Sequence, residues 1–181
     1  MNKFKSKNKR MFSGTAEYHK FDIARGQLET AIRLFLVEGC DMFSAITLAG
    51  AAGEVLHQLV LRAGKQPFVD YTVKANDWKK LGPTPSRSAV MKHIHKILFI
   101  NEMKHHDKDA QDIVQLDAEE CALAAILKAI VDYKTITGSQ TDAMKAMFAW
   151  CYQNLESEQM LKEYEELPKV KSMGSNSIDC C

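Results

Sequence analysis

Asp117-Ala-Glu-Glu-Cys-Ala-Leu-Ala-Ala-Ile-Leu-Lys-Ala-Ile-Val-Asp-Tyr133 is the stretch that decides the fold class of this chain. Asp117 to Glu120 has the form of a helix capping box with Asp in the Ser/Thr position, where a carboxylate accepts from the N–H three residues on. Leu123, Ile126, Leu127, Ile130 and Tyr133 then recur at the spacing of one helical face. Apolar residues cover much of the circumference, so this helix is expected to be the most buried of the chain, with Gly138 as its terminator. Lys128 interrupts the run from Cys121 to Val131, which is also too short to span a membrane.

The same period extends outward in both directions. Asp22 is expected to cap a helix that reaches Val37 and stops at Gly39, with Ala24, Leu28, Ala31, Ile32 and Phe35 facing the core and Glu29 paired to Arg33 outside. Asp41 or Ser44 opens a second helix ending near Ala63, with Gly64 as a left-handed terminator. Its first half, Ala45, Ala49, Gly50, Ala51, Ala52 and Gly53, has almost no side-chain volume. Two glycines inside a helix cost about 1 kcal/mol each relative to alanine, so they imply the close approach of another helix or of a ligand, close helix packing being the simpler cause. Lys65 to Arg87, with Pro67, Pro83, Pro85 and Gly82, breaks the period, and Asp70 to Leu81 is predicted to form one short helix within it.

Ser86 or Ser88 starts a further helix with Val90, Ile94, Ile97 and Leu98 inward and Lys92, Lys96 and Lys104 outward, running into Ile100-Asn-Glu-Met-Lys-His-His-Asp-Lys-Asp109. Beyond Gly138, Ser139 or Thr141 caps a helix whose inward stripe is Met144, Met147, Phe148, Cys151 and Leu155. Glu156 to Leu167 extends it until Pro168. The expected fold is therefore all-α, a compact antiparallel bundle of five or six helices over residues 21–167, with a basic arm at 1–20 and a tail at 168–181.

Composition narrows the function classes. In 181 residues the net charge is +1, so no global electrostatic attraction to nucleic acid or anionic membrane is expected. A nucleic-acid contact would fall to the local basic arm, Lys3, Lys5, Lys7, Lys9 and Arg10. Five widely spread cysteines without CxxC spacing suggest neither a disulfide framework nor a zinc knuckle, which points to a reducing, cytoplasmic setting. No secretion signal, membrane span or cofactor motif is expected.

The chemistry concentrates between Ile100 and Asp109. Glu54-Val-Leu-His57 and Glu102-Met-Lys-His105 are two Glu-x-x-His pairs, a spacing that points both ligands from one helix face and serves carboxylate-bridged metal centres in bundles. No inward bridging glutamate is evident between them. Alternatively, Asn101, Lys104, His105, Asp107 and Asp109 form a polar locus at a helix end, able to fix the following turn or to recognise a partner. A helical polar-plus-His site resembles, more loosely, the HEPN-like nuclease pattern, although Ile100 stands where that pattern has Arg. Arg87, Ser88 and His93 offer a looser match to it.

Gln27-Leu-Glu-Thr-Ala-Ile-Arg-Leu-Phe35, Thr47-Leu-Ala-Gly-Ala-Ala52 and Asn101-x-x-Lys-His-x-Asp-x-Asp109 together resemble a family of small uncharacterised bacterial helical proteins, over about Phe21 to Tyr152. That family has apolar residues at the positions of Glu102 and Met103, so Glu102 departs from it. The resemblance implies a shared fold and a shared polar locus, with no activity attached. Taken together, these readings lead to a binding protein that recognises a protein partner or its own copy through Asn101, Lys104, His105, Asp107 and Asp109. An HEPN-like RNase or nucleic-acid binder is the alternative, and a bundle metal protein using Glu54, His57, Glu102 and His105 the third.

Overall fold

Asp117 caps a helix as its sequence implies: its Oδ1 accepts from the Glu120 N–H at 3.0 Å. The computed structural model describes residues 15–78, 82–101, 103 and 113–155. Among them it contains α1 (Lys20–Arg33), α2 (Met42–Arg62), α3 (Phe68–Trp78), α4 (Arg87–Ile97), α5 (Ala118–Thr137) and α6 (Asp142–Asn154), and no strand. The protein is all-α, a helical bundle. The described helices fall into two compact units divided between Gln140 and Thr141. α1 to α5 belong to the first, and α6 to the second.

The helix ends follow from local chemistry. α1 begins at Lys20 rather than after Asp22, because His19 takes the cap position and its Nδ1 accepts from the Phe21 N–H at 3.2 Å. Past Arg33 the chain widens into a π-helical turn, Leu34–Glu38, that Gly39 closes in the left-handed region at φ 59°, its N–H bonded to Leu34 O. Arg33 joins Glu38 across this turn instead of pairing with Glu29. Asp41 caps α2 by accepting from the Ser44 N–H. Gly64 at φ 67° ends it in a Schellman arrangement, with the Lys65 N–H on Val60 O and the Gly64 N–H on Leu61 O. Ser86 Oγ caps α4 through the Ala89 N–H.

α4 does not run into the 100–109 stretch. It stops at Ile97 because Phe99 adopts φ 53° and builds a second Schellman arrangement, Ile100 N–H to His95 O and Phe99 N–H to Lys96 O. Two inward assignments also change. Ile97, at the last turn of α4, and Phe148, on α6, are 49% and 39% exposed, whereas Val90, Ile94 and Leu98, and Met144, Met147 and Cys151, are buried.

The core of the first unit is built on α2, which packs against both α5 and α1, while α3 packs against α4 and α5. Phe21 of α1 stacks on Tyr133 of α5 at 5.3 Å. The small half of α2 has the close-packing role its composition implies: Ala45, Ala49, Gly50, Ala52 and Gly53 are all buried, as are Ala122, Ala125 and Ala129 of α5. A Cβ added at Gly50 would lie 2.8 Å from Ile100 Cγ2, and one at Gly53 would lie 3.2 Å from Lys128 Nζ and 3.7 Å from Ala129 Cβ. α2 is long and apolar enough, by length and composition, to cross a membrane, and half of that window is buried inside the structure.

Candidate functional site

The polar locus expected from the sequence meets the described residues at its first member. Asn101 is exposed, in the turn that follows Phe99, and not on a helix. Lys104, His105, Asp107 and Asp109 lie outside the described residues, as do Glu102 and the arm residues Lys3, Lys5, Lys7, Lys9 and Arg10. Two residues from Asn101, Met103 donates its N–H to Phe99 O at 3.0 Å and is half-buried. Met103 closes one side of a shallow groove of about 310 Å³ whose other walls are Phe43, Ser44, Thr47 and Leu48 from the first turns of α2. Phe43 is 53% exposed there, and its ring offers apolar surface that the fold leaves in water. The groove follows from two causes already described: Asp41 starts α2 with Phe43 outward, and the left-handed Phe99 turns the chain back over α2 so that Ile100 drops onto Gly50.

The residues of the nuclease-like pattern are differently employed. Ile100, at the position of the pattern's Arg, is buried against α2. Arg87 makes a two-pronged pair with Asp70, Nε to Oδ1 at 2.7 Å and Nη2 to Oδ2 at 2.8 Å, and so ties α4 to α3. His93 is exposed on α4.

A second polar site lies inside the bundle, and its key members were not singled out by their pattern. Lys128 and Asp132 are successive turns of α5, 4% and 0% exposed, with Lys128 Nζ 3.7 Å from Asp132 Oδ2. In the sequence Lys128 interrupts an apolar run. It points inward because Gly53 of α2 leaves room for its ammonium. Asp132 Oδ1 accepts the Phe68 N–H at 2.7 Å, so a carboxylate from α5 caps the first turn of α3. Lys65, just ahead of α3, donates in turn to Thr135 O at 2.8 Å and Ile136 O at 3.1 Å, among the last carbonyls of α5. The α2–α3 connection is thus clamped to α5 by an anion on an N-terminus and a cation on a C-terminus.

His57 of α2 is buried within electrostatic reach of Asp132 and Lys128. It is 5% exposed, and among the described residues neither its Nδ1 nor Asp132 Oδ2 makes a hydrogen bond. Burial is the main influence on all three groups. It holds the His57 imidazole below its ordinary value, against the pull of Asp132 and with the help of Lys128. It lowers the Lys128 ammonium against Asp132 and Glu54, and raises the Asp132 carboxyl against the Phe68 N–H and Lys128. Glu54 and His57, the first expected metal pair, therefore neighbour an ammonium. Among the described residues no group of three or more His, Cys, Asp or Glu side chains is arranged to hold a metal ion.

No family model, curated protein or solved structure matches this chain.

Proposed function

We propose that this chain acts by binding, and that the groove between the start of α2 and Met103, beside Asn101, receives an apolar side chain of a partner protein or of a second copy. The observation that supports this reading is the exposed Phe43 ring in a groove walled by Ser44, Thr47, Leu48 and Met103. Apolar surface gathered in one concave place, with hydroxyls at its rim, is the usual composition of a recognition patch. Asn101, exposed two residues from Met103, would supply a polar group on that side of the rim. The resemblance to small bacterial helical proteins, resting on residues alone, is compatible with such a role and adds no chemistry to it.

A photo-crosslinking amino acid at position 43, with a control at Lys145 on α6, tests the reading in the cell of origin. Discrete adducts at position 43 that disappear with Leu48→Glu support it, and their masses separate a self-adduct from a foreign partner. Sedimentation over a wide concentration range gives the same distinction for the purified protein. Monomeric behaviour together with equal crosslinking at both positions would remove the groove as a binding site. The nuclease alternative has its own arm: release of labelled RNA fragments that depends on Asn101 and His105 would favour it instead.

A further inference from the structure

We propose that the segment received by the Phe43 groove belongs to an acidic partner protein: an apolar anchor sits between Phe43 and Met103, while Asp or Glu carboxylates beside it lie along the outward face of α4, on Lys92 and Lys96. The inference rests on the groove reading above and adds the charge of what binds there. α4 reads Arg-Ser-Ala-Val-Met-Lys-His-Ile-His-Lys-Ile and contains no acidic residue. Val90 and Ile94 are its buried side, so Lys92, His93 and Lys96 fall on the exposed one. Four residues apart, Lys92 and Lys96 stand one turn, or about 6 Å along the axis, from each other. Neither makes a hydrogen bond or ion pair among the described residues. The acids of α3, against which α4 packs, are already engaged, Asp70 by Arg87 and Asp77 by the Thr84 hydroxyl. The face therefore keeps its positive charge for a ligand.

The backbone joins this face to the groove. The Phe99 N–H bonds to Lys96 O at 3.2 Å and the Met103 N–H to Phe99 O at 3.0 Å, so the groove wall follows the last turn of α4 by two hydrogen-bonded steps. Ile97, next to Lys96, leaves half its surface in water and adds apolar contact there. Its carbonyl also meets Cys121 Sγ of α5 at 3.7 Å, and the start of α5 carries Asp117, Glu119 and Glu120. An incoming carboxylate is thereby directed to α4 and away from α5. The small number of free cations decides the class of partner. The chain has a net charge of only +1, and nucleic-acid affinity comes from about one counterion released per phosphate neutralised, so two lysines hold a phosphate backbone weakly. An acidic peptide draws on both features: its buried anchor supplies affinity, and the exposed charges supply orientation and association rate.

Panning the purified full chain against a phage-displayed library of random dodecapeptides tests this. The enriched peptides are expected to place Asp or Glu within about one helical turn of a Leu, Ile, Met or Phe. Their affinity, read by fluorescence anisotropy, should fall about tenfold with Lys92→Glu plus Lys96→Glu, and by a similar factor between about 50 and about 500 mM salt. Both lysines are exposed, so the double variant keeps its helical circular dichroism. Phe43→Ala should weaken the same peptides and leave their salt dependence in place. Peptides lost with Phe43→Ala but indifferent to the lysines and to salt overturn the acidic partner and leave the groove reading standing. Peptides that need the lysines but not Phe43, or a library that enriches none, overturn both. Two further results overturn the acidic partner alone: a single-stranded RNA oligonucleotide that requires the lysines and is not displaced by the enriched peptides, and self-association through Phe43 that those peptides leave untouched.

Discussion

Lys128 and Asp132 show what one buried charge requires of its neighbours. Removing one partner of a sealed ion pair strands the other, which typically costs about 3–5 kcal/mol, whereas replacing both together is often close to neutral. Asp132 has a further duty, because Phe68 loses its acceptor if the carboxylate goes. Asp132→Leu is therefore expected to cost about 3–5 kcal/mol in urea unfolding. Lys128→Met with Asp132→Asn, which keeps an acceptor for Phe68, should recover most of that loss. If the double variant were as unstable as the single one, the pair would matter through its shape and not its charge. The glycines make a second residue-scale contrast. Gly50→Ala drives a methyl against the branched, buried Ile100, and overpacking of this kind costs about 1–3 kcal/mol before a helix-propensity gain of about 1 kcal/mol. At Gly53 the nearest atom is the end of the Lys128 chain, which can shift, so Gly53→Ala is expected to be the milder change in the same measurement. That these glycines mark a close approach was legible from their position in an apolar helix. That one of them seats an ammonium was not, since an isolated Lys in an apolar run normally reaches for water. The available signal was Asp132, one turn on and itself on the inward side.

At the scale of elements, the ends that the sequence announces are those whose chemistry is local. Asp41, Ser86 and Asp117 cap the helices they precede, and Gly64 and Gly138 end theirs in the left-handed region, because each needs only its own few neighbours. Asp117→Ala is expected to cost about 0.5–2 kcal/mol and to increase exchange at the Glu119 and Glu120 amides before any other part of α5 responds. The ends that the sequence conceals are imposed from a distance. Phe99 has no intrinsic preference for the left-handed region, where a bulky residue is strained by about 1–2 kcal/mol. Burial of Ile100 on Gly50 supplies the compensation. The periodicity of α4 therefore points past Ile97 into the 100–109 stretch, and the candidate recognition residues were assigned to a helix end that comes several residues earlier. The π-helical turn after Arg33 is concealed as well: Leu34 and Phe35 are buried in it, and no side chain in Leu34–Glu38 announces it. α3 was legible as a short helix, but its first turn is capped by Asp132 from α5, so its start lies at Phe68 instead of Asp70.

For the molecule as a whole, the buried cluster makes stability depend on pH in a direction that can be worked out group by group. The His57 value is lowered on folding, so its contribution is full above 6.5 and is lost as pH falls toward its folded value. Lys128 is lowered as well, so its share is recovered as pH rises through its folded value toward 10.5. Asp132 is raised, so the folded state binds its proton more readily, and acidification from its folded value down toward 3.8 works in the opposite sense. Asp142, lowered by Lys145, loses its small exposed contribution only below 3.8. Between pH 6.5 and 5 His57 lowers stability as it acidifies, and Asp132 acts in the opposite sense. The expected loss in global stability over that interval is at most about 2 kcal/mol, the limit for one group of ordinary value 6.5 that cannot charge in the folded state. Urea unfolding at pH 7.5, 6.5 and 5.0 should show this decline in the wild type. His57→Gln should remove it, leaving a curve that is flat or rises toward acid under Asp132 alone. A wild-type curve that rises toward pH 5 would instead mean that Asp132 takes up the proton first, with the cluster stabilised rather than strained by acid. The two outcomes differ in sign, so one series of denaturation curves separates them.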